Sequence, residues 1–172
     1  TGMAARPNGT GGASGDFLIN GASSNLIGTD GNGVDDAAER NLISSNGGDA
    51  NVNISGGSTA NVVTGNFIGT DATGAARLAT VNEGVVIAAS SGNRVGTDNG
   101  DSAEMNVITG NGRYGVVIRT GSSGNVVAGN RIGTNAAGTA RLAGNLSNGQ
   151  AGVLIDALSS DNSVTENLIS GN

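Results

Sequence analysis

The 172-residue chain predicts an all-β solenoid of about five coils, each of three short strands. Three observations carry this. Strand-like motifs recur in a fixed order along the whole chain. An asparagine opens two of the three motifs in every coil. Composition points the same way, with 32 Gly, 23 Asn, one Pro and only three aromatics (Phe17, Phe67, Tyr114). Gly and Asn tolerate the left-handed backbone of tight turns, so such a chain turns often. With so few large side chains its core must be built from small aliphatics.

The first motif, A, is Asp16-Phe-Leu-Ile, Asn51-Val-Asn-Ile, Gly84-Val-Val-Ile, Gly115-Val-Val-Ile and Gly152-Val-Leu-Ile. The second, B, begins at Asn25, Asn61, Asn93, Asn125 and Asn162; the third, C, begins at Asn41, Asn66, Asn106, Asn130 and Asn167. Each is too short for a helix, rich in β-branched residues and bounded by Gly, Ser or Asn. Successive A motifs lie 35, 33, 31 and 37 residues apart. The surplus forms inserts that alternate in position: between B and C in coils one and three, and between C and the next A in coils two and four. A two-coil super-repeat of about 65 residues results (Asn61 to Asn125 is 64).

Alternation within a strand decides which side chains face the core. In A, Asn53 marks the outward position, so Val52 and Ile54 face inward. Arg94 and Ser163 mark it in B, and Arg131 in C. Inward positions then hold Phe17, Ile19, Val85, Ile87, Val116, Ile118, Val153 and Ile155 from A. B adds Ile27, Val63, Val95, Val127 and Val164, and C adds Ile43, Ile68, Ile108, Ile132 and Ile169. The same parity turns the ten motif-opening asparagines inward as two columns. An amide both donates and accepts, so equivalent residues about 4.8 Å apart can bond up a stack. Outward positions carry apolar residues, with Leu42, Phe67, Val107 and Leu168 in C; exposed in a row, they make a candidate assembly surface together with Arg77 and Arg141.

These motifs resemble the right-handed parallel β-helix repeats of large secreted or surface-attached bacterial proteins. The resemblance rests on strings of the form Asn-x-Val-x-Gly-Asn-x-Ile-Gly-Thr-Asp-Ala-x-Gly-x-Ala, matched from Asn61 and again from Asn125, where Asn135 stands in place of the Asp. It implies handedness, fold and an extracellular bacterial setting. It implies no activity, because the same solenoid carries lyases, epimerases, adhesins and inert stalks.

Several chemistries are excluded or disfavoured. The chain has no His, Cys or Lys, which removes imidazole and thiolate metal sites and Ser-His or Cys-His nucleophile pairs. Net charge is −6 with no basic run, so nucleic acid is not an expected partner, and no apolar run is long enough to insert in a membrane. No carboxylate pair is expected on a strand face, as glycoside hydrolysis needs, and no catalytic residue is assigned. Outward columns lack the Thr ladders of ice-binding solenoids.

Acids gather instead in the B-to-C inserts, as Asp30, Asp35, Asp36 and Glu39 in coil one and Asp98, Asp101 and Glu104 in coil three. Asp30, Asn32, Asp35 and Asp36 offer hard oxygen donors suited to Ca²⁺, a weak signal beside the commoner explanation of solvated loop acids; no other cofactor is expected. The two acidic inserts, two coils apart, are expected about 10 Å from each other.

Residues 1–15 read as a C-to-A loop continuing a preceding coil, and residues 16–172 as one solenoid domain. Asn167 to Asn172 followed by Thr1 to Arg6 repeats the pattern of Asn66 to Arg77 and Asn130 to Arg141. The expectation is a non-catalytic structural unit of a bacterial extracellular or cell-surface fibre, stalk or adhesin; the alternatives are a carbohydrate-binding adhesin segment of one long polypeptide and a polysaccharide lyase- or epimerase-like enzyme. Its partner is another copy stacked head to tail, with lateral packing or surface carbohydrate as further contacts.

Overall fold

The computed structural model describes residues 17–78, 82–142 and 148–172. The 1–15 loop, Arg6 and Asp16 lie outside the described residues. Coil one comprises β1 (Phe17–Asn20), β2 (Leu26–Gly28) and β3 (Leu42–Ile43). Coil two has β4 (Ala50–Ser55), β5 (Val62–Thr64) and β6 (Phe67–Ile68); coil three has β7 (Glu83–Ala88), β8 (Arg94–Gly96) and β9 (Val107–Ile108). Coil four has β10 (Tyr114–Arg119), β11 (Val126–Ala128) and β12 (Arg131–Ile132), and coil five β13 (Ala151–Ile155), β14 (Ser163–Thr165) and β15 (Leu168–Ile169). Each strand pairs in parallel with its equivalent one coil away, giving three parallel sheets of five strands. The fold is a β-solenoid, and its repeat and register are those the motifs predict. Among the described residues no helix is long and apolar enough to cross a membrane.

One core runs the length of the stack. It contains Ile19, Val52, Ile54, Val85, Ile87, Val116 and Ile118 from the A sheet, with the B and C aliphatics up to Val127 and Ile132. Burial of each such side chain contributes about 1.5–3 kcal/mol before entropy.

Alternation fails at one place in A, with a consequence for the outer face. Asn51 and Val52 both face inward, the first into a buried hydrogen bond and the second into the core. Upstream residues therefore reverse, turning Ala50, Glu83 and Tyr114 outward. The equivalent of Asn51 is Gly84 in coil three, where a Cβ would sit 2.7 Å from Ile108 Cγ2 and 2.9 Å from Asn111 Nδ2. Glycine is required there by close approach rather than by backbone conformation.

All four inserts leave their strand through the same device: an aliphatic, then Gly-Thr, then Asp or Asn. The glycines are Gly28, Gly69, Gly96 and Gly133, all at positive φ. A side chain on Gly28 or Gly96 would overlap the carbonyl of Thr64 or Ala128 in the next coil. Inserts on the same corner then meet across the coil between them. Ala136 N–H donates to Gly74 O (2.9 Å), joining the coil-two and coil-four inserts, and Gly65 N–H donates to Glu104 O (2.8 Å). Gly31 lies against the Glu104 side chain. The acidic inserts are thus in contact, not about 10 Å apart, because each leans over coil two, which has no insert at that corner.

This leaning overturns part of the expected apolar surface. Phe67 and Val107 are buried. The Arg40 guanidinium lies 4.3 Å from the Phe67 ring centroid, and Gly74 packs against the ring's other atoms. Val107 lies between Phe67 and Arg131 in register, and Arg131 donates to Ala136 O. Val86 and Val117 are likewise buried, in a second cluster with Ala50, against which Ala88, Tyr114 and Leu154 pack. Exposure persists at Leu42 and Leu168.

Candidate functional site

Stacking is the property most strongly written into the side chains. In the B column, Asn25 Nδ2 donates to Asn61 Oδ1 (2.8 Å), and the series continues through Asn93, Asn125 and Asn162. In the C column the chain of amides runs Asn41, Asn66, Asn106, Asn130, Asn167. From coil two onward each amide nitrogen also reaches a backbone carbonyl one coil back, as Asn106 does to Val63 O (2.9 Å). Donor and acceptor are both satisfied, which is what allows an amide to be buried.

Two further ladders were hidden in the same repeat. A third asparagine column, at the C-to-A corner, links Asn46, Asn51, Asn111, Asn148 and Asn172 with bonds of 2.7–2.9 Å. Its sequence signal is Asn five residues after the C asparagine in coils one, three and five. Coils two and four spend that position on an insert-opening Asp71 or Asn135, and Asn51 and Asn148 enter the column from elsewhere. A serine ladder occupies the A-to-B corner, where Ser58, Ser90 and Ser122 each accept a backbone N–H from the previous coil. Its signal is Ser three residues before the B asparagine.

The outer face of the A sheet carries a polar concavity of about 130 Å³, lined by Asp49, Asn82, Glu83, Arg113 and Arg119. Glu83 is there because of the reversed alternation, and it is buried. Arg113 Nη1 lies 3.8 Å from Glu83 Oε1 and stacks 5.0 Å from the Tyr114 ring centroid. Burial pushes the Glu83 carboxyl up, Arg119 and Arg113 oppose this, and Asp49 adds to it. A strand-borne carboxylate with a second acid beside it was not expected. Period-two parity alone could not place it.

Comparison with protein-family models, with curated proteins and with solved structures gives no match. Architecture and site geometry therefore carry the functional reading.

Of the cation candidates, Asp30 and Asp36 come together, and Glu39 joins them. Asn32 does not: its Oδ1 accepts from Val34 N–H and its Nδ2 donates to Asp30. Asp35 is exposed at φ 57° and stays outside the cluster. Asp71, which opens the coil-two insert, is a turn staple. It accepts from Thr73 N–H and Oγ1, Ala75 N–H and Ala76 N–H. Burial raises its pKa, but these bonds outweigh burial and hold it below the usual range. Asn135 plays the same part in coil four, accepting from Thr139 N–H at 3.0 Å. Arg77 packs its stem under Gly110, and exposed Arg141 packs its own under Gly171.

Proposed function

We propose that the chain is a non-catalytic structural segment of a bacterial extracellular or cell-surface fibre, stalk or adhesin, in which a further coil of the same repeat stacks on the β13–β14–β15 rung. One observation carries the reading: coil five is an interior coil in everything but its cover. It presents the same inward aliphatics and ladder asparagines as coils two to four. Yet Ile155, Val164 and Ile169 are 42%, 37% and 44% exposed, whereas Ile118, Val127 and Ile132 are fully covered. The backbone N–H groups of Asn25, Asn61, Asn93 and Asn125 donate to the next coil's asparagine Oδ1, and Asn162 and Asn167 stand at the equivalent positions of coil five. A following coil with Asn at both positions would take up their N–H donors and bury the aliphatics, continuing parallel pairing as a strand-addition complex does.

That coil comes from the same polypeptide or from a second copy. Electron microscopy across a concentration series separates the two. Self-stacking gives filaments with an axial repeat of about 24 Å, five rungs at ~4.8 Å each. Dispersed particles at every concentration would reject self-stacking and leave continuation within one chain.

The concavity at Glu83 favours one secondary reading, a carbohydrate-binding stretch of an adhesin. Its guanidiniums, carboxylates and amide suit a polyhydroxylated ligand beside the Tyr114 ring. Saturable polysaccharide binding that Arg113→Ala abolishes would support it; binding indifferent to that change would remove it.

A further inference from the structure

The coil-one and coil-three inserts place equivalent acids at one corner. Asp30 and Asp98 each follow the opening Gly-Thr, and Glu39 and Glu104 each stand two residues before the C asparagine. In coil three a guanidinium lies between them: Arg94 Nη2 is 3.5 Å from Asp98 Oδ2, and Arg94 Nη1 is 3.8 Å from Glu104 Oε2. The residue in register with Arg94 in coil one is Leu26. Coil one therefore has the acids without the cation. It also has one acid more, Asp36, from its longer insert.

The three carboxylates meet there. Asp30, Asp36 and Glu39 each bring an oxygen within 4.8 Å of the others. Two oxygens ligating one Ca²⁺ at about 2.4 Å each can lie no farther apart than that limit, so all three can reach a single ion. Asp36 is only 9% exposed, and its Oδ1 is buried with no hydrogen-bond partner, while Oδ2 accepts from Gly33 N–H. A buried carboxylate oxygen left unpartnered beside two more acids is costly unless a cation joins them. Among the described residues no Arg forms an ion pair with any of the three. The neighbouring Arg40 is turned away, onto Gly65 O and the Phe67 ring.

We propose that Asp30, Asp36 and Glu39 form a Ca²⁺ site that does for the coil-one insert what Arg94 does for coil three. The donors are all hard oxygens, which selects Ca²⁺ over softer metals. Mg²⁺ demands a near-ideal octahedron and gives up its water reluctantly, whereas Ca²⁺ accepts a flexible set of carboxylate oxygens such as a loop offers. The ion would tie both ends of the insert to its middle and so fix the loop against Glu104 and coil two. This site is independent of end-to-end stacking.

The test is calorimetric titration of the full chain with CaCl₂, beside MgCl₂ at the same concentrations. The expected result is one equivalent of Ca²⁺ bound, with a dissociation constant on the order of 10⁻⁴ M, and at least tenfold weaker Mg²⁺ binding. Asp36→Asn should abolish the Ca²⁺ heat, and Asp98→Asn should leave it intact. Leu26→Arg, which rebuilds the coil-three arrangement and keeps all three acids, should also abolish it while circular dichroism stays unchanged; this variant decides the matter if Asp36→Asn fails to fold. No Ca²⁺ heat, equal affinity for Mg²⁺, or unchanged binding by folded Leu26→Arg would each overturn the proposal.

Discussion

At the B-to-C corner, coil three sets Arg94 between Asp98 and Glu104, whereas coil one sets Leu26 at the same strand position beside Asp30, Asp36 and Glu39. The backbone solution is shared, since both inserts leave through Gly-Thr and both lean across coil two. Charge balance is not shared. The comparison shows that a repeat can hold its backbone constant while the side chain that neutralises its loop acids is exchanged for an aliphatic. It also separates two kinds of loop acid. Asp71 spends its carboxylate on four donors within its own turn and needs nothing further. Asp36 has an oxygen to spare.

The largest expected effect tests the shared part. Gly28→Ala and Gly96→Ala should each cost more than about 3 kcal/mol, because a Cβ would overlap the next coil's carbonyl at a positive φ. Urea denaturation of both variants checks this, and tolerance of either one would break the equivalence. Next comes the charge difference. Arg94→Leu leaves Glu104 buried without its cation and should cost about 3 kcal/mol, the lower end for a buried pair losing one partner. A loss below about 0.5 kcal/mol would mean that Glu104 is balanced by something else. In the opposite direction, Leu26→Arg should gain roughly 0.5–1 kcal/mol in calcium-free buffer, as a partly exposed ion pair does.

Glu83 supplies a smaller, pH-dependent case of a buried acid flanked by Arg113 and Arg119. Because burial raises its folded pKa above the unfolded value, its contribution is fully present below the ordinary glutamate range. That contribution is lost as pH rises through the folded pKa. Glu83→Gln should remove this loss, so the wild-type-minus-variant stability difference should fall with rising pH across that window; a difference flat from pH 4 to 8 would contradict it. The smallest effect belongs to Gly33→Ala in the coil-one insert. With nothing within 4 Å of the added methyl, only backbone strain at φ 81° remains, about 1 kcal/mol.

Strand register, the inward aliphatics and two asparagine columns were legible because each obeys a local period. The third asparagine column and the serine ladder were equally local, at five residues after one asparagine and three before another. They escape notice when a motif is cut at its last aliphatic, at Ile108 for example, two residues short of Gly110 and three short of Asn111. Burial of Phe67 was not legible. It depends on Arg40 and on an insert that leans over the next coil, contacts no period encodes. Glu83 was hidden for a different reason, since two consecutive inward positions, Asn51 and Val52 in coil two, invert the parity of everything before them. The cluster of Asp30, Asp36 and Glu39 was half legible: the acids were evident, but which of them converge depended on the turn that consumes Asn32 and sends Asp35 outward.

End-to-end continuation is tested most directly by joining two copies in one polypeptide, Asn172 to Thr1, and unfolding the tandem beside the single chain. Stability in a solenoid is a sum of repeat and interface contributions, so a newly covered rung should be visible at once. Continuation predicts a single cooperative transition with a higher midpoint and about twice the denaturant dependence of the single chain. A tandem that unfolds at the single-chain midpoint and slope, as two independent halves, would contradict it.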